Sequence, residues 1–270
     1  MNPLGSTVRR PKVCAVSYLN TVPLIWGAVE GPQKYEIDLS FAVPSVCADR
    51  VAEGIADVGL VPVYEVDRLG LGWFPGLGIA SRGQVRSILL VSKVAPDKIR
   101  RLAADSGSRT SVQLARIILA ERYGAAPEIF SAPPVVETML ENADAALLIG
   151  DAALAIDPLD CGLNCLDLGD EWTELTGLPM VFAVWAGRHG VLTPPLEASL
   201  EASARYGLSQ LDRIIESEAV RRGFPFALVE QYLTRQVQFL LGPEDEKGMQ
   251  TYLSMARALN RDPAGARPAR

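Results

Sequence analysis

Short apolar runs alternate with amphipathic stretches along most of this chain. Val13-Cys14-Ala15-Val16-Ser17 reads as a buried strand. A polar turn from Ser17 to Thr21 follows, and Pro23-Leu24-Ile25-Trp26 opens a helix. Tyr35 to Ala42 alternates through Ile37, Leu39 and Phe41 as a second strand. The pattern predicts a helix from Pro44-Ser45, with Ser45 as its cap and Val46, Val51 and Ile55 on its inner face. Asp57 to Val61 is a third strand, stopped by Pro62. Strand and helix thus alternate over the first 65 residues, as in a parallel sheet covered by helices.

Ser87 to Ser92 is a strong strand, and the polar loop Asp105 to Ser111 opens a helix from Val112 to Tyr123. Ala145 to Ile149 and Pro179 to Trp185 read as buried strands. After Thr193 the pattern is helical throughout, including Phe226 to Leu241 and Glu244 to Leu259, with Asp262 to Arg270 as a frayed tail. The middle segment carries its own strands and helices. The expected organisation is an α/β protein whose first lobe comprises residues 1–94 and 178–270, interrupted by a second lobe over 95–177. The strands at Ser87–Ser92 and Met180–Trp185 would cross between them, leaving a ligand cleft where strand ends meet.

Composition narrows the chemistry. The chain of 270 residues has 49% hydrophobic and 21% charged residues and a formal charge of −6, a globular composition ill suited to neutralising nucleic-acid phosphates. A single histidine, His189, excludes multi-histidine metal sites and disfavours a histidine-based triad. No apolar run approaches the ~18–20 residues of a membrane span, and no signal-peptide pattern follows the basic Arg9, Arg10 and Lys12. A cytoplasmic protein with no membrane partner is expected. Cys14, Cys47, Cys161 and Cys165 form no zinc pattern and read as reduced, buried or half-buried thiols.

Candidate chemistry gathers at strand ends. Ser17, Tyr18, Asn20 and Thr21 place three hydroxyls and an amide in the first turn, although such residues also cap turns locally. Ser45 and Asp151 occupy similar places, where a cap is the alternative. Ser108, Arg109, Thr110 and Ser111 at a helix start offer amides, hydroxyls and a guanidinium, suited to a carboxylate. The alternative there is a capped helix with Arg109 in solvent. The sequence lacks the glycine-lysine pattern of nucleotide loops. Glu30, Glu53 and Glu65 read as surface or cap residues.

Val16-Ser17-Tyr18-Leu19-Asn20-Thr21-Val22-Pro23-Leu24 resembles the opening signature of the chorismate dehydratases of the futalosine route to menaquinone. Ala56 to Val63, Asp105 to Ser111, Leu148-Ile149-Gly150-Asp151-Ala152 and Leu178 to Ala183 are similar to further blocks of that family, in a consistent order from Val13 to Trp185. The sister enzyme that makes dihydroxynaphthoate opens on a Pro-Asn-Asp motif, which this chain lacks.

The resemblance implies a two-lobed fold of the type II periplasmic-binding-protein kind, used as a cytoplasmic enzyme. It implies a lyase that removes water from chorismate, a dicarboxylate, without metal or other cofactor. It implies Asn20 and Ser87 as catalytic positions. Ser17, Tyr18, Thr21, Ser45, Ser108, Arg109, Thr110, Ser111, Gly150 and Asp151 become the substrate-binding set. The competing class is a non-catalytic carboxylate-binding protein of the same fold. The oligomeric state is not readable from the chain.

Overall fold

The computed structural model describes residues 9–261, so the tail expected at Asp262 to Arg270 lies outside the described residues. The chain opens with β1 (Lys12–Val16), α1 (Val22–Glu30), β2 (Asp38–Ala42), α2 (Pro44–Ala52), β3 (Val58–Pro62), α3 (Val63–Leu69) and β4 (Gly72–Ser81). Next come β5 (Ile88–Ser92), β6 (Arg101–Asp105), α4 (Thr110–Tyr123), β7 (Glu128–Ala132), α5 (Val136–Glu141), β8 (Ala145–Ile149), α6 (Gly150–Leu154), β9 (Asn164–Asp167) and α7 (Leu168–Thr176). It closes with β10 (Met180–Gly187), α8 (Pro194–Ser209), α9 (Leu211–Arg222), α10 (Phe226–Gln231), β11 (Gln238–Leu240) and α11 (Pro243–Arg261).

Two sheets result. The first runs β11-β4-β10-β3-β1-β2 and the second β7-β6-β8-β5-β9. The continuous apolar runs lie in the middle of these sheets: β3, β5, β8 and β10 are buried at every position. Such runs are what a strand covered on both faces requires. Edge strands β2 and β7 are mostly open to solvent.

The sheet membership of β5 corrects the expected lobe boundary. Ile88–Ser92 pairs antiparallel with β8 and β9, so the crossing into the second lobe precedes Ile88 rather than residue 95. Arg86 takes a left-handed backbone (φ 64) in this crossing. Its N–H donates to Asp167 Oδ2 at 2.6 Å, and Val85 N–H donates to Oδ1 at 3.0 Å. Asp167 also caps α7, so one half-buried carboxylate fixes both the link and the helix behind it.

Other local expectations shift as well. Val43, not Ser45, is the N-cap of α2, because Pro44 starts the helix and Ser45, itself buried, falls within its first turn. Val46 and Ile55 are exposed, and Cys47, Ala48 and Val51 form the inner face. Glu65 is completely buried rather than on the surface. The helix expected over Phe226 to Leu241 ends early. It widens into a π turn at Tyr232–Gln236 and leaves as β11, which pairs with β4. Cys14 and Cys47 are buried with their Sγ atoms 3.2 Å apart, Cys161 and Cys165 are half-buried at the same separation, and all four are free thiols.

Candidate functional site

A cleft opens where the carboxyl ends of both sheets converge. Its apolar walls include Val16, Leu60, Ile79, Ile149 and Phe182. The β10–β4 register shifts between Val181 and Ala183, and the bulge delivers Phe182 and Ala183 to the cleft wall.

From the first lobe come Tyr18 and Asn20, in the short turn between β1 and α1. The turn is held from behind. Ser203 Oγ accepts from Ala28 N–H at 3.0 Å and donates to the Leu24 carbonyl at 3.1 Å, clamping α1 onto α8. The Tyr18 ring lies against Gly150, where φ is 58° and a Cβ would approach the ring to 2.5 Å. Glycine is needed on both counts. Burial, and then the nearby Asp105 carboxylate, push the Tyr18 phenol well above its ordinary pKa, so it faces the cleft as a hydroxyl.

Ser87 precedes β5. Its carbonyl accepts from Gly150 N–H at 2.8 Å, and its Oγ lies 2.9 Å from the Tyr232 hydroxyl. Ser87 and Asn20 thus reach the same cleft from opposite lobes.

The third wall is the start of α4, where Ser108, Arg109, Thr110 and Ser111 line the cleft. Among the described residues no side chain caps this 14-residue helix, so the first-turn amides and the positive dipole end remain available to an anion. Thr110 Oγ1 accepts from Tyr64 N–H at 3.2 Å, which leaves its proton to donate. Behind it the Tyr252 hydroxyl donates to the Thr110 carbonyl at 3.0 Å.

Arg109 lines the cleft with its guanidinium engaged by carboxylates of this chain. Its Nη1 lies 2.8 Å from Asp49 and 2.7 Å from Glu65, and its Nη2 lies 3.0 Å from Asp49. The guanidinium is neutralised by two carboxylates of the first lobe. The remaining anion donors at this wall are neutral hydroxyls and amides.

Four of the expected binding residues stand outside the cleft lining. Ser17 is exposed and bonds the Ala42 carbonyl only weakly, at 3.5 Å. Thr21 is buried, with its hydroxyl unpartnered among the described residues. Ser45 is buried in α2 and its N–H donates to the Gly107 carbonyl across the lobes at 3.2 Å. Asp151 accepts from Leu19 N–H at 3.0 Å and pairs with Arg222, acting as an interlobe tie. His189 is exposed and does not line the cleft.

Sequence reasoning missed Tyr232, Arg222 and Asp105. Asp105 is buried, with Oδ1 accepting from Gly107 N–H at 2.8 Å and Oδ2 unpartnered among the described residues. Burial raises its pKa. Asp105 sits in the same loop that was singled out for its hydroxyls, and a carboxylate at a strand end was a usable signal. Tyr232 and Arg222 lie in helices whose pattern reports only packing.

A family model described as menaquinone biosynthesis matches residues 11–258. A chorismate dehydratase of Thermus thermophilus is 31% identical over 233 residues, covering 78% of this chain and 83% of that protein. A protein of Archaeoglobus fulgidus has the same fold, with a TM-score of 0.78 at 19% identity over 94% of this chain and 99% of its own. The periplasmic aliphatic sulphonate binding protein of Escherichia coli matches with a TM-score of 0.63 at 15% identity, over 94% and 87% of the two chains. These structures show the two-lobed periplasmic-binding-protein fold.

Proposed function

The chain belongs to the menaquinone biosynthesis family, and on that premise we propose that it is a chorismate dehydratase, a lyase that eliminates water from chorismate to give 3-[(1-carboxyvinyl)oxy]benzoate. The observation that carries the reading is the 31% identity to a chorismate dehydratase over most of both chains. The cleft explains how such a reaction could run.

A proton leaves the ring carbon bearing the enolpyruvyl ether, and hydroxide leaves the neighbouring carbon. The ring becomes aromatic, which supplies the driving force without a redox or covalent step, so we include cofactor independence in the proposal. The ring carboxylate is conjugated with the carbon that loses its proton. Held at the amides and hydroxyls of Ser108, Thr110 and Ser111, it accepts the charge that develops there. Asn20 and Ser87 then flank the reacting carbons. A carboxamide is a poor base at neutral pH, so a carboxylate of the substrate itself takes the proton while Asn20 and Ser87 hold it in place.

A dianionic substrate on a chain of charge −6 needs local compensation. With Arg109 neutralised by Asp49 and Glu65, that compensation falls to the start of α4. Four free thiols support a reducing compartment, and we place the reaction in the cytoplasm, on the futalosine route.

Incubation with chorismate tests the reading. The expected result is a new aromatic absorbance with release of 3-[(1-carboxyvinyl)oxy]benzoate, abolished in Asn20→Ala. Thermal stabilisation by chorismate with no product would make the protein a binder instead.

A further inference from the structure

The four cysteines form two pairs, and solvent reaches only one of them. Cys161 and Cys165 hold their Sγ atoms 3.2 Å apart, and both are half-buried. Cys14 and Cys47 show the same separation but have no exposure to solvent.

The chain between α6 and β9 builds the open pair. Asp157 starts a turn there. Its carbonyl accepts from Asp160 N–H at 3.3 Å and from Cys161 N–H at 3.0 Å, and its Oδ1 accepts from Leu159 N–H at 2.9 Å. Gly162 then takes a left-handed backbone (φ 68), and the chain turns back as β9. Cys165, opposite Val91 in this edge strand, comes to face Cys161.

The two thiols differ in their surroundings. Cys165 packs against the cluster that includes Leu89, Val91 and Met139. The chain neighbours of Cys161, Asp160 and Gly162, are exposed. Disulfide sulfurs lie ~2.05 Å apart, so from 3.2 Å each Sγ has about 0.6 Å to travel.

We propose that Cys161 and Cys165 are a modification site, a dithiol that exchanges with small-molecule disulfides and closes to an intramolecular disulfide, while Cys14 and Cys47 stay reduced. Exchange runs through a thiolate and depends on access to it. The Cys161 thiolate attacks one sulfur of the small disulfide, forms a mixed disulfide and releases one small thiolate. Cys165, deprotonated in turn, attacks the Cys161 sulfur. The Cys161–Cys165 bond forms, the mixed bond breaks and the second small thiolate leaves. The two cysteine protons end on the two released thiols. The protein gives up two electrons, and the small disulfide takes them. Such a pair stays open in a reducing compartment and closes when the oxidised pool rises. The bond staples β9 to the turn before it, two residues ahead of Asp167 and the crossing that Asp167 holds.

The test needs no chorismate, so its outcome is separate from that of the dehydratase reading. The reduced full chain, freed of reductant, is exposed to oxidised glutathione and mapped by mass. Cleavage after lysine and arginine isolates residues 123–188, which contain Cys161 and Cys165 and neither of the other cysteines. This fragment is expected to become two hydrogens lighter, without a lasting glutathione adduct, and to regain them with dithiothreitol. In Cys165→Ser the mixed disulfide at Cys161 has no resolving thiol, and a stable glutathione adduct is expected there. In the native protein, iodoacetamide is expected to label Cys161 at least about tenfold faster than Cys14 or Cys47.

An unchanged wild-type fragment, or a lasting adduct in place of the internal bond, overturns the proposal. So does oxidation of Cys14 and Cys47 ahead of this pair, or labelling of all four thiols at one rate. The wild-type map decides the matter even where Cys165→Ser fails to fold.

Discussion

Arg109 and Glu65 belong to different lobes, and Arg109 Nη1 lies 2.7 Å from the carboxylate of Glu65, a side chain with no exposure to solvent. Glu65 also accepts two bonds from Arg68, and Arg109 also holds Asp49. The pair ties α3 to the start of α4, beside the cleft wall where an anion is proposed to bind.

Arg109→Ala is therefore expected to cost stability more than affinity. Removing one partner of a buried pair costs roughly 3–5 kcal/mol, and the partial exposure of Arg109 and the remaining Arg68 reduce that to about 2 kcal/mol. Thermal unfolding should show a drop of several degrees, with KM for chorismate rising less than about tenfold. A large rise in KM at unchanged melting temperature would place the guanidinium on the substrate after all.

Gly150→Ala should damage the cleft directly. The substitution forces a left-handed conformation on a residue with a side chain, at about 1–2 kcal/mol, and pushes its methyl into the Tyr18 ring. The expected result is a loss of kcat/KM of more than about tenfold, with a modest fall in melting temperature. Gly124, also left-handed but at the far end of α4, makes the control: Gly124→Ala should lower stability by a similar amount and leave kcat/KM within about twofold.

Asp151 serves two partners, Leu19 N–H and the Arg222 guanidinium. Asp151→Asn keeps an acceptor for Leu19 and loses the ion pair, whereas Asp151→Ala loses both. Stability should fall by about 1 kcal/mol in the first and about 3 kcal/mol in the second. Denaturant titration orders the two variants, and equal losses would contradict a divided role for this carboxylate.

The buried Asp105 gives a pH dependence of definite sign. Its folded pKa is raised above the ordinary value of 3.8 by burial. Its contribution to stability is thus fully present below about 3.8 and is lost as pH rises through the folded value. In Asp105→Asn the Gly107 N–H keeps an acceptor and the titrating group is gone. The melting-temperature difference between Asp105→Asn and wild type should shift in favour of the variant as pH climbs from acid toward neutrality. A difference that stays constant over that range would mean that Asp105 titrates alike in both states.

The parts of this molecule visible in its sequence are those set by local pattern. The run Ala145–Ile149 could only be a covered strand, and it is one. Asn20 stood out because a polar turn after a buried strand is where an α/β cleft forms, and the cleft is there. Arg109 was visible as a cation at a helix start, but its partners Asp49 and Glu65 lie 60 and 44 residues away, and nothing local encodes that meeting. The strand β5 was recognised, but the lobe boundary was set after it rather than before it for the same reason, since pairing partners are a long-range choice. Tyr232 looked like one more apolar position on a helix. It begins a π turn, which helical periodicity does not reveal.

Tyr232 stands 145 residues beyond Ser87 in the chain. Translation is directional, so the Asn20 turn and Ser87 are synthesised well before the hydroxyl that Ser87 contacts. Tyr252, which holds the α4 entrance through the Thr110 carbonyl, emerges later still. The two contacts that back the cleft from the C-terminal helices, Tyr232 on Ser87 and Tyr252 on Thr110, thus form only after the last part of the chain has been made.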